Sequence, residues 1–224
     1  MFQLLKISFI VFFISGAARA ENPILERYRD PRLPEFSFPT LPTDQRYDDP
    51  AFIPTNLSSL EHAQSLMDEL KFYRKSYAEC FQRAHLWAFE LRQMMNIQSQ
   101  KVFLFFTDRY TRRTGFDWWF HVAPFVLVNG TEMVLDPYFF SKPVDLQTWT
   151  NYFMKSNTSC WIAGTYQDYE AHQQDQDCIL RKVPMYYFTP SSVEDRDKKN
   201  LVISDWIESQ VYLAHKSLRA WWRQ

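Results

Sequence analysis

The sequence predicts an α+β protein, with helices first and an antiparallel run of strands after them. Three observations carry this. Apolar residues recur at intervals of three and four in two stretches between residues 60 and 96. Asn129-Gly130, the strongest short hairpin signal in the chain, stands between two apolar runs. Strands and helices do not alternate in the way a parallel sheet requires.

The elements follow in chain order. Residues 21–57 read as an irregular arm, because seven prolines from Pro23 to Pro54 break every periodicity. Its interleaved aromatics (Tyr28, Phe36, Phe38, Tyr47, Phe52) suit a segment that packs on something. Ser58 or Ser59 caps a helix carried by Leu60, Ala63, Leu66, Met67 and Leu70. A second helix covers 79–96, with Phe81, Ala84, Ala88, Leu91 and Met95 in step. Strands are expected at 101–107 and 117–128, where Pro124 demands an edge or a bulge. The hairpin at 129–130 leads into a strand at 132–135. Residues 141–180 read as loops with one short helix near 146–154, and 181–189 as a further strand. Residues 200–222 close the chain as an amphipathic helix, with Leu201, Trp206, Val211, Leu213, Leu218 and Trp222 as apolar positions.

Composition excludes several classes. Among 224 residues, 25 Lys plus Arg against 26 Asp plus Glu give a net charge of −1. No basic field exists to hold nucleic acid or an anionic membrane surface. With 20 Phe, 12 Tyr and 8 Trp but 4 Gly, the chain is neither disordered nor collagen-like. The length suits one domain with a substantial core.

Residues 1–20 (MFQLLKISFIVFFISGAARA) read as a signal peptide: Lys6, an apolar run, then Ala18-Arg19-Ala20 for cleavage. The run is too short to span a membrane. Export permits disulfides, and Cys160 and Cys178, close together in a polar stretch, are the natural pair. Cys80 is left over, to be either a buried inert thiol or a nucleophile. Asn56, Asn129 and Asn157 match the glycosylation acceptor pattern.

Three side chains could work together. Cys80 falls near the start of the second helix, where unpaired N–H groups favour a thiolate. Folding the chain back at 129–130 sets residue 121 near 138 and residue 123 near 136. His121 and Asp136 then lie at one end of the hairpin, as a base and its orienter should. Taken singly, His121 also reads as a core residue and Asp136 as a turn residue before Pro137. His85 competes as the base, but five residues along a helix turns it to another face. No HExxH, CxxC, P-loop, GxGxxG or GxSxG occurs, so neither a metal nor a cofactor is expected.

Cys80-Phe81-Gln82-Arg83-Ala84-His85, then Trp119-Phe120-His121-Val122-Ala123, then Leu135-Asp136-Pro137, resemble bacterial protein-glutaminases. The likeness runs over roughly 66–185 and takes in Phe140-Ser141, Pro143-Val144, Trp149, Thr158-Ser159-Cys160 and Cys178-Ile179-Leu180. It implies a papain- or transglutaminase-like core across 58–224, with a nucleophile-bearing helix packed on an antiparallel sheet. It further implies Cys80 as nucleophile, His121 as general base and acid, Asp136 as orienter, and structural parts for Arg83 and His85. Trp118 and Trp119 become candidate walls of a glutamine slot, with core packing as the other reading. The activity implied is hydrolysis of glutamine side chains in proteins or peptides to glutamate and ammonia, through a thioester, in a secreted or periplasmic enzyme. The same three residues also suit a cysteine protease or an acyltransferase, and an inactive binding domain is the alternative from another class. The arm at 21–57 would then be a prosegment or a structural wrap.

Overall fold

Ser59 opens the first helix. The structure, a computed structural model, describes residues 53–70 and 79–199. In it Ser59 Oγ accepts a hydrogen bond from His62 N at the head of α1, Leu60–Glu69, whose Ala63, Leu66 and Met67 are buried. The expected signal peptide, most of the arm and the helix at 200–222 lie outside the described residues.

The second helix, α2, spans Cys80–Met95 and starts where the apolar spacing puts it. Glu79 is its N-cap residue, and its N–H donates to Gln82 Oε1 at 3.0 Å. Asn96 ends it with a left-handed φ of 53°.

A mixed sheet follows. Its strands are β1 (Asn56–Leu57), β2 (Gln100–Phe106), β3 (Phe120–Val128), β4 (Thr131–Val134), β5 (Val144–Asp145), β6 (Trp161–Ala163) and β7 (Cys178–Pro184). Their order is β5-β4-β3-β2-β7-β6, with β1 beside the end of β3. Pairing is antiparallel except for β6 with β7 and β1 with β3. The remaining helices are α3 (Asp108–Thr114), α4 (Leu146–Met154), α5 (Tyr166–Ala171) and α6 (Pro190–Lys199).

Several expectations are corrected. The last residues of the presumed irregular arm are part of the sheet: Asn56 and Leu57 pair with Leu127 and Val128. The strand expected from 117 begins at Phe120. The last strand is 178–184, three residues earlier at its start than expected. Helix α3 had no apolar period to announce it, since only Tyr110 of its seven residues is buried. Thr107 caps its start, and Gly115, at φ 68°, its end.

Asn129 and Gly130 both have positive φ (48° and 81°), as a two-residue hairpin turn requires. Pro124 then decides where the hairpin stops. Its carbonyl accepts from Leu135 N at 2.9 Å, but proline has no N–H to return the bond. Strand β4 ends at Val134, and the chain is free to turn at Asp136. An interior strand thus carries its proline where its neighbour has run out.

Side chains alternate through the sheet. Phe103, Phe105 and Val122 pack towards Ala84 and Ala88 of α2. Val102, Leu104, Phe106 and Ala123 pack towards Trp149 and Phe153 of α4. Truncating one such buried Phe to Ala costs about 3–5 kcal/mol. An exposed pair such as Lys198–Glu194 contributes about 1 kcal/mol at most. Burial, not surface charge, holds the layers.

Lys101 is fully buried within β2. Its ammonium group meets His85 Nδ1 at 2.6 Å and donates to the Tyr187 carbonyl. Burial pushes its pKa well below the ordinary lysine value.

Cys160 and Cys178 form the expected disulfide, and Cys80 is free. The bridge spans 18 residues. Its reduction is expected to lower unfolding free energy by about 3 kcal/mol on the chain-entropy estimate. Denaturant curves with and without reductant measure this, and coincident curves would refute it.

Candidate active site

His121 is the second residue of β3, on the face towards α4. Its imidazole sits in an aromatic cage, with ring centroids of Phe153 at 4.3 Å, Phe139 at 5.1 Å, Trp149 at 5.5 Å and Trp118 at 5.8 Å. Asp136 follows β4 at the point where Pro124 releases the chain. Both side chains are 1% exposed. His121 Nε2 lies 2.8 Å from Asp136 Oδ2. The carboxylate can only accept, so Nε2 carries the proton. Trp149 Nε1 donates to the same oxygen at 3.0 Å. The indole thereby fixes the carboxylate that fixes the imidazole.

With Nε2 committed, Nδ1 is left for the thiol. Burial pushes the His121 pKa down, but hydrogen bonding and charge from Asp136, and then from Cys80, reverse this and hold it at about 9. Nδ1 nevertheless has no partner within hydrogen-bonding distance. We therefore take Cys80 and His121 to be close but not in closed contact, as is common before substrate binds.

The sign of this shift fixes a stability prediction. The folded pKa exceeds the ordinary value of 6.5. The stabilisation from the pair is complete below about pH 6.5 and is lost as pH rises through about 9. Lys101, shifted in the opposite direction, adds a slope of opposite sign. The difference in unfolding free energy between wild type and His121→Gln removes that background. It is expected to shrink between pH 6 and pH 9.5, and a constant difference would refute the assignment.

Cys80 is the first residue of α2 and is partly buried. First-turn amides have no acceptor within their helix, so the Cys80 N–H has no intrahelical partner. A cavity of about 530 Å³ opens beside it, bounded by residues 79–81 and Arg83, by 117–120, and by Tyr138 and Phe139. Trp118 and Trp119 line it and are 43% and 48% exposed, so they are not core residues. His85 packs on Phe188 and meets Lys101, and does not line this cavity.

The structure thus brings together all five residues singled out in the sequence. It adds Trp149, which holds Asp136, and Arg83 and Tyr138 in the cavity wall. Among the described residues no group of three or more His, Cys, Asp or Glu is placed to hold a metal ion. No described helix is long and apolar enough to cross a membrane.

A mixed α+β domain that sets a free thiol at a helix start, beside a carboxylate-paired imidazole and an open cavity, has the elements of thiol-dependent acyl chemistry. Residues 56–153 match the family model described as Glutaminase. Through that span, which contains Cys80, His121 and Asp136, the chain belongs to the glutaminase family. No curated protein matches the sequence. Among solved structures, the NMR structure of protein-glutaminase from Chryseobacterium proteolyticum is similar at 19% identity, over 61% of this chain and 78% of that one, with a TM-score of 0.38. A crystal structure of protein-glutaminase is similar at 18% identity, over 62% and 80%, with a TM-score of 0.38. One of pro-protein-glutaminase is similar at 16%, over 66% and 55%, also at 0.38.

Proposed function

We propose that the protein is a protein-glutamine deamidase, exported to the periplasm or beyond, with Cys80 as nucleophile, His121 as acid and base, and Asp136 as orienter. The observation that supports this most is the division of labour on His121: Nε2 bound to Asp136, Nδ1 turned from it and acting with Cys80.

The reaction runs in two halves. The Cys80 thiolate attacks the carboxamide carbon of a substrate glutamine. The resulting oxyanion finds the Cys80 N–H. As the C–N bond breaks, the imidazolium gives its proton to the nitrogen, ammonia leaves, and a thioester remains. Water then gives a proton to neutral His121 and attacks the thioester. The C–S bond breaks, glutamate departs, and thiolate and imidazolium are restored. The cycle consumes water alone. Trp118 and Trp119 form walls of the slot for the glutamine side chain, and the core is of the papain and transglutaminase type.

Incubation with a casein-like substrate tests this reading. Ammonia without new chain termini or cross-links supports deamidation. New termini would mean a protease, and cross-links an acyltransferase. The N-terminal arm acts as a prosegment if deleting residues 21–52 raises turnover. That reading ends if a folded deletion variant works at the wild-type rate. The deletion stops short of Asn56 because that residue belongs to the sheet.

A further inference from the structure

Arg83 lies three residues after Cys80, on the same face of α2. It is 6% exposed and lines the cavity with Cys80 and Tyr138. Its guanidinium carbon stands 3.8 Å from the centroid of the Tyr138 ring, a close cation–π stack. Tyr138 belongs to the turn that follows Asp136, where Phe139 N and Phe140 N both donate to the Asp136 carbonyl. Arg83 therefore clasps the turn carrying the orienter to the helix carrying the nucleophile.

A buried cation is costly unless negative charge faces it. Burial weakens the guanidinium's hold on its proton, while Asp136, Cys80, Tyr138 and Glu79, in that order, favour its charged form. Asp136 Oδ2 is already shared by His121 and Trp149. Glu79 is exposed at the cavity rim, as is Asp117 on the loop before β3. Cys80 is thus the group best placed to use this charge when it ionises.

We propose that Arg83 is a positioning residue, held on the ring of Tyr138, whose positive charge keeps Cys80 in its thiolate form beside His121 and ties the Asp136 turn to α2. The proposal rests on the catalytic reading of Cys80, His121 and Asp136. It goes further by giving Arg83 an electrostatic task and Tyr138 the task of holding it.

Alkylation of Cys80 by iodoacetamide in the full chain, followed against pH, tests it without any substrate. In Arg83→Met the pH of half-maximal alkylation is expected to rise by about one unit, and the rate at pH 7 to fall about tenfold. Arg83→Lys, which keeps the charge, should stay within about twofold of wild type. Deamidation by Arg83→Met should lose kcat in parallel, with KM little changed. A merely structural role would lower the melting temperature and leave the pH profile in place, so an unshifted profile in folded Arg83→Met overturns the proposal. Should Arg83→Met not fold, Tyr138→Leu decides. An upward shift there, with Arg83→Lys unshifted, supports the proposal, and identical profiles overturn it. Failure of the underlying reading looks different: alkylation would then be indifferent to His121→Ala.

Discussion

Replacing Cys80 by alanine is expected to cut ammonia release from a glutamine peptide by at least about 10⁴-fold. The loss is nearly total because no other group can form the thioester. Cys80 is the free cysteine of the described chain. His121 and Asp136 act only through it, since a buried imidazole paired with a carboxylate has no carbon to attack unless a thiolate or its ester is present. The fold should be little affected, because the side chain is small and only partly buried. Far-ultraviolet dichroism and a melting curve matching wild type would confirm that the loss is chemical. Residual turnover within tenfold of wild type would mean that another nucleophile, or direct attack by water, carries the reaction.

Asp136→Asn is expected to cost about 10³–10⁴-fold at pH 7, a loss of the size seen when an orienting carboxylate is neutralised in other triads. The argument is one of donors and acceptors. Asp136 Oδ2 accepts from both His121 Nε2 and Trp149 Nε1. An asparagine can turn its oxygen to both donors only by aiming its NH₂ elsewhere in a buried site, and it carries no charge. Burial then dominates the His121 pKa, which is expected to fall from about 9 to below the ordinary 6.5. The imidazolium that must protonate ammonia is no longer present at neutral pH. The alkaline limit of the rate profile should therefore move down by more than two pH units, beyond the reach of a simple loss of stability. An unchanged limit with a reduced rate would show that Asp136 only shapes the site.

Much of this arrangement was legible because it depends on local rules. Asn129-Gly130 set the hairpin register, and the register put His121 and Asp136 at one end of it. Helical spacing placed Cys80 at a helix start. The two close cysteines named their own bridge. What stayed hidden depends on contacts between distant segments. Trp149 reaches Asp136 from α4, and no periodicity in the sequence reports that meeting. Lys101 reads as a charged flank of a strand, yet it is buried because His85 and the Tyr187 carbonyl are there to receive it. Arg83 left a usable signal, its shared face with Cys80, but its stack on Tyr138 depends on where the turn after Asp136 lies. Residues 117–119 carry strand-forming aromatics and still form a loop, because the cavity takes their side chains. The two residues of β1 are too few to show a pattern and gain their structure from pairing with β3.

The central claim is that a thioester stands between glutamine and glutamate, and trapping it is the most direct test. Hydroxylamine added during turnover of a glutamine peptide competes with water for the acyl-enzyme. The account predicts a γ-glutamyl hydroxamate that rises with hydroxylamine at the expense of glutamate, while ammonia release does not slow. Glutamate alone at every hydroxylamine concentration, with ammonia release undiminished, would contradict it.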